Sequence, residues 1–129
     1  MSTDIKTIGI YPLSGVVTVS FAAAAATTLY TVPTGYKAII DHVDVILGAD
    51  AAATTLTIGR STALTDFLNT QTLSALDADE DVGHLQIIPN ATTVIGKTYA
   101  AGVIIQVNVT SAVGGATNQM ILWGYLIAA

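Results

Sequence analysis

Apolar residues recur at every second position through most of this chain, and this period restricts the fold more than any other feature. The clearest example is segment 103–110, where Val103, Ile105, Val107 and Val109 alternate with Ile104, Gln106, Asn108 and Thr110. Successive side chains of a strand point to opposite faces, so this pattern predicts a strand with one buried face. Similar alternation predicts strands at 16–21, 38–47 and 54–59.

Turn signals separate these segments at short intervals. The sequence Val32-Pro33-Thr34-Gly35 is typical of a tight turn, and Pro89-Asn90 and the stretch 113–116 are further turn signals. Additional strands are predicted at 5–11, 28–32, 82–88, 92–95 and 119–127. The chain has 129 residues, the size of one domain, and closely spaced strands and turns predict an all-β sandwich or barrel.

Three segments fit the strand pattern less well. The alanine run 22–26 is too short for a stable helix, so it predicts a loop or a single turn. At most one short helix is expected, around 63–69. Residues 1–14 form either an N-terminal arm or a first strand, which leaves 15–129 as the sandwich domain.

In two of the predicted strands the pattern also indicates which side chains share a face. In segment 38–47 strict alternation places Ile39 on one face with Val43, and Ile40 on the other with His42 and Asp44. The last strand, 119–127, is apolar on both faces. Such a strand is either central between layers or lies at a subunit contact.

Charged residues make up 10% of the chain, whereas soluble domains usually have about 25%. Much of the surface is therefore uncharged or covered by a partner, which favours an oligomer or assembly component over a Thr- and Ala-rich monomer. The net charge of −5 disfavours contact with nucleic acid and with an anionic membrane. The start of the chain does not resemble a signal peptide and no apolar run is long enough to span a membrane, so a cytoplasmic origin is expected.

Few residues of the chain offer catalytic or metal-binding chemistry. Cysteine is absent, which excludes disulfides and thiolate ligands. His42 and Asp44 share a strand face, but a pair is too small to predict a site, so a polar outer face is expected. The candidates for a metal ion are Asp77, Asp79 and Asp81, although an EF-hand loop starting at Asp77 would place Val82 and Ile88 where Gly and Glu are needed. A solvated acidic loop is the expectation there, and no catalytic residue, cofactor or enzyme activity is predicted.

Two passages carry a family resemblance. The sequence TVPTGYKAII at 31–40 resembles the turn and strand that open many small jelly-roll virion proteins of tailed phages. The sequence YAAGVII at 99–105, with Gly114-Gly115 and the stretch 118–125, resembles their closing hairpin. Together they cover about forty residues and are similar to capsid decoration proteins, also called cement or auxiliary head proteins. The resemblance implies a jelly-roll sandwich of about eight strands.

The same resemblance implies a function. Decoration proteins form homotrimers on the outer capsid surface, bind the major capsid protein and stabilise the shell after assembly in the host cytoplasm. The residues expected to divide between the core and the subunit interface are those of the last strand: Met120, Leu122, Trp123, Tyr125 and Ile127. The alternative hypothesis is a carbohydrate- or receptor-binding module of a phage tail or fibre, with Trp123 and Tyr125 stacking on the ligand.

Overall fold

Two antiparallel sheets form the part of the chain that the computed structural model describes, residues 10–86, 97–112 and 114–129. Among these residues there is no helix, and so no helix able to cross a membrane. The ten strands are β1 (Tyr11–Pro12), β2 (Val17–Val19), β3 (Ala26–Thr31), β4 (Tyr36–Ile46), β5 (Thr55–Arg60), β6 (Ala63–Thr72), β7 (Val82–Leu85), β8 (Lys97–Tyr99), β9 (Ile104–Ser111) and β10 (Asn118–Ala128).

The strand order is that of a jelly roll. One sheet has the order β2-β10-β4-β7, and the short strands β1 and β8 extend its two edges by pairing with β10 and β4. The other sheet has the order β3-β9-β5-β6. The eight main strands are those that remain when β1 and β8 are set aside. Every connection between them crosses from one sheet to the other except the β5–β6 hairpin, as expected for a jelly roll. The prediction of an antiparallel jelly-roll sandwich is confirmed.

The core lies between the two sheets and is built from the inward positions that alternation predicts. Ile105, Val107 and Val109 of β9 are buried, as are Leu56 and Ile58 of β5. Because both sheets contribute branched aliphatic side chains from alternate positions, the two sheets pack into one hydrophobic core.

A β-bulge changes the faces of β4. Trp123 pairs with His42 but the next residue, Gly124, pairs with Ile40, so Asp41 is an extra residue in β4. Ile40 is consequently buried in the core with Val43, while Ile39 lies half-buried on the outer face. The predicted faces of Ile39 and Ile40 were therefore wrong, because a bulge shifts the period of two by one residue.

The segment 63–69 is part of strand β6, so the one short helix that the sequence allowed there is not formed. Phe67 and Leu68 are both buried, which breaks the period of two and gives the sequence a helix-like pattern. The register of β5 against β6 shifts at two places, and these irregularities allow consecutive residues to be buried in a strand. The alanine run forms exposed bends before β3, as predicted. The predicted strand 92–95 and most of 5–11 lie outside the described residues.

Candidate functional site

The two outer faces of the sandwich differ in chemistry. The second sheet has a polar outer face on which Gln106 donates to Thr28 at 3.2 Å and the hydroxyls of Thr55 and Thr110 are 2.7 Å apart. The first sheet has an outer face that also carries half-buried apolar side chains. These five residues, called here the apolar face, are Ile39, Ile46, Ile121, Trp123 and Tyr125. The more exposed Val82 and Ile127 lie beside it, on β7 and β10.

The predicted interface residues divide between this face and the core. Trp123, Tyr125 and Ile127 alternate with inward positions and point outward on β10. Met120 and Leu122 are completely buried between the sheets. These two residues are therefore removed from the set of interface candidates, because side chains enclosed by the sandwich cannot touch a neighbouring subunit.

A group of titratable side chains lies at the β4–β7 side of the apolar face. His84 Nδ1 is 2.8 Å from Asp44 Oδ1, and His42 Nε2 is 3.6 Å from Asp44 Oδ2. The two imidazole rings have centroids 3.9 Å apart. Asp41 lies on the other side of His42, with Oδ2 at 2.6 Å from Nδ1.

Strand pairing assembles this group. Asp44 of β4 is directly opposite His84 of β7, and the bulge at Asp41 leaves His42 outward, beside its β10 partner Trp123. The sequence predicted that His42 and Asp44 share the outer face, and this is where the structure places them. It missed His84, since nothing in the local sequence states that a residue forty positions away pairs with Asp44.

Trp123 connects the histidine group to the apolar face. Its indole stacks on His42 with ring centroids 5.7 Å apart and an angle of 13° between the planes. The indole Nε1 is buried and has no hydrogen-bond acceptor among residues 10–86, 97–112 and 114–129. One face of the ring is thus occupied by His42.

The acidic loop does not gather its carboxylates. Asp81 accepts a hydrogen bond from the backbone N–H of Ala78 at 3.1 Å, and the loop is tied to β4 through Glu80 N and Leu47 O at 2.9 Å. In the part of the chain that the structure describes, His42, Asp44 and His84 are the group of three His, Asp or Glu side chains with ligand atoms close enough for one ion. Asp77, Asp79 and Asp81 are not brought together in this way.

A second polar network joins the two sheets through Asp66. Asp66 of β6 accepts hydrogen bonds from Arg60 Nε at 2.5 Å and from the hydroxyl of Tyr99, on β8, at 2.8 Å. Burial alone would raise the pKa of Asp66, but these hydrogen bonds outweigh it and hold the pKa below its usual value. Burial, and then the bond to Asp66, raise the pKa of the Tyr99 hydroxyl, so it remains a donor. This network links the two sheets, and no local sequence pattern predicts it.

No protein-family model, curated protein or solved structure matches this chain. Its function is therefore inferred from two features of its own surface. They are the apolar face, suited to contact with another protein surface, and the His42–Asp44–His84 group, whose nitrogen and oxygen atoms can bind a proton or a metal ion.

Proposed function

We propose that this protein is a virion structural subunit, a capsid decoration protein, that self-associates through the apolar face of its first sheet. The observation that carries the proposal is the difference between the two outer faces. One carries Thr and Gln side chains that hydrogen-bond to each other, and the other carries several isoleucines and two large aromatic residues. A contiguous apolar patch rimmed by polar residues is typical of a contact surface.

A second copy of this chain is the partner that the composition favours. With four cations and nine acidic residues, the surface has little charge of either sign to select a highly charged partner. Aromatic residues such as Trp123 and Tyr125 are enriched in protein interfaces, while charged residues are depleted from their centres.

The dimensions of the face fit a stable contact. β4 and β10 each have 11 residues, so they are roughly 36 Å long, and four strand positions span roughly 19 Å. The outer side of the first sheet, polar and apolar residues together, therefore covers at most roughly 700 Å², close to the roughly 800 Å² per partner of a standard interface. Contact through this side, together with binding to a capsid shell, would supply the cohesion that a decoration subunit needs.

Light scattering after size exclusion tests self-association. We expect an oligomer. A homotrimer of this 13.2 kDa chain would have a mass of about 40 kDa. Ile121→Thr on the apolar face should shift the population toward the monomer. Ile104→Thr is the matched control, because Ile104 is also a half-buried isoleucine of a central strand but lies on the outer face of the second sheet.

Two results would count against the proposal. A monomer of 13.2 kDa at 100 µM protein, a concentration roughly a hundred times a micromolar Kd, would refute self-association. Equal effects of the two substitutions would refute the assignment of the face. Glycan-array binding that is lost in Trp123→Ala would instead support the sugar-binding alternative, which the geometry favours less because His42 covers one face of the indole.

The capsid role has its own test. Capsid shells lacking decoration protein should bind the wild-type protein on their outer surface and resist heat or low ionic strength better than bare shells. Failure to bind any shell, combined with stable self-association, would leave an assembly protein of another kind and refute the decoration role.

A further inference from the structure

The His42–Asp44–His84 group has the dimensions of a metal site. Its ligand atoms all lie within 4.8 Å of one another. Metal–ligand distances of about 2.0–2.2 Å in tetrahedral geometry place neighbouring ligand atoms about 3.3–3.6 Å apart. His84 Nδ1 lies 2.8 Å from Asp44 Oδ1 and His42 Nε2 lies 3.6 Å from Asp44 Oδ2, so each histidine is close to one carboxylate oxygen, and side-chain rotations bring the three groups onto one ion.

Asp41 fixes the tautomer of His42. A carboxylate only accepts hydrogen bonds, so the Nδ1 atom at 2.6 Å from Asp41 Oδ2 carries a proton and donates it. A carboxylate that holds the second nitrogen of a histidine in this way is the usual outer partner of a histidine ligand, since it orients the ring and makes Nε2 more basic.

A metal ion between His42 and Asp44 would join two facing acceptors. With the proton on Nδ1, the Nε2 lone pair of His42 lies 3.6 Å from Asp44 Oδ2. The His84 ring has its centroid 3.9 Å from that of His42, so one ion can be reached from both rings.

We propose that His42, Asp44 and His84 bind a divalent transition-metal ion of the zinc class, with Asp41 as the positioning residue of His42. Imidazole and carboxylate ligands suit zinc and its neighbours, and three protein ligands leave a fourth position for water. His42 binds through Nε2 and His84 through Nδ1, so the His84 proton moves from Nδ1 to Nε2. Side-chain exposures of 11% for His42, 24% for Asp44 and 52% for His84 leave the ion a path from solvent.

Calorimetric titration of the untagged, full-length protein with ZnCl₂ tests the site. We expect one bound zinc per chain and at least a tenfold weaker affinity in His84→Ala, whose exposed side chain can be removed without damage to the core. Asp41→Asn should weaken binding about 10- to 100-fold, as the loss of an outer partner does. Asp79→Asn, in the exposed acidic loop, is the control and should bind zinc like the wild type.

Substitution with Co²⁺ distinguishes a ligand from a positioning residue. The visible absorption bands of bound Co²⁺ should move in His84→Ala, because water replaces a nitrogen ligand. In Asp41→Asn the bands should keep their positions and only require more cobalt for saturation. Bands that move in Asp41→Asn would overturn its assignment as a positioning residue.

The site is refuted if the wild type takes up no zinc from 1 mM ZnCl₂, a concentration that would detect any dissociation constant up to about 1 mM. It is equally refuted if His84→Ala binds as tightly as the wild type, or if Asp79→Asn weakens binding as much as His84→Ala does. Circular dichroism of each variant shows whether it is folded. Zinc binding is read by calorimetry and self-association by light scattering, and the two are disturbed by different substitutions, so the failure of one proposal can be told apart from the failure of the other.

Discussion

Asn118 is the residue whose replacement tests the structure most directly. It begins β10, is completely buried, and makes three hydrogen bonds. Nδ2 donates to the carbonyls of Val19 at 3.1 Å and Gly115 at 2.9 Å, and Oδ1 accepts from the N–H of Gly48 at 3.1 Å. One side chain thus ties β2, the β9–β10 loop and the turn after β4 to the start of the last strand.

The magnitude of Asn118→Ala follows from these bonds. Each net hydrogen bond contributes about 1 kcal/mol, so the loss of three predicts about 3 kcal/mol of lost unfolding free energy. The unfolding entropy is about 2.1 cal/mol/K per residue, or about 0.27 kcal/mol/K for this chain. The midpoint of thermal unfolding should therefore fall by about 11 °C.

Urea unfolding followed by the fluorescence of the single tryptophan, Trp123, measures this change. Asn108→Ala is the matched control, because Asn108 is half-buried on the polar outer face of the second sheet and should cost less than about 1 kcal/mol. If Asn118→Ala lowered the free energy of unfolding no more than Asn108→Ala does, the three hydrogen bonds would make no net contribution to stability, contrary to this prediction.

Two further predictions concern the sheet interior and the bulge. Because the pKa of Asp66 is lowered in the folded protein, its contribution to stability is present above the unfolded pKa of about 4 and is lost as pH falls through the lower folded value. Stability curves between pH 2 and 5 should accordingly fall more steeply for the wild type than for Asp66→Asn, and parallel curves would contradict this. Gly124→Ala should cost about 1–3 kcal/mol in urea unfolding, since its Cβ would overlap the carbonyl oxygen of Ile39 at the bulge; an unchanged midpoint would show that the bulge adapts freely.

Most strands could be predicted because their signal is local. The alternation at 103–110 and 54–59 depends only on neighbouring residues, and β9 and β5 follow it. Prediction failed where pairing with another strand shifts the register. At Asp41 a bulge exchanged the faces of Ile39 and Ile40. Irregular pairing of β5 with β6 allows consecutive residues of 63–69 to be buried, and such a pattern is also compatible with a helix.

The candidate surfaces divide in the same way. Alternation alone placed Trp123, Tyr125 and Ile127 on one face of the last strand and Met120 on the other. Which of these two faces packs into the core depends on the second sheet. The sequence alone therefore leaves Met120 and Leu122 among the interface candidates, and the structure buries them in the core.

The sequence by itself determined an all-β chain with little charge and an amphipathic last strand, because side-chain periodicity and composition are properties of short segments. Only the tertiary structure decided that His84 lies beside His42 and Asp44, and that Asp66 accepts a hydrogen bond from the hydroxyl of Tyr99 in the opposite sheet. These contacts join residues 33 to 42 positions apart in the chain, and strand pairing and sheet packing, which no local pattern encodes, bring them together.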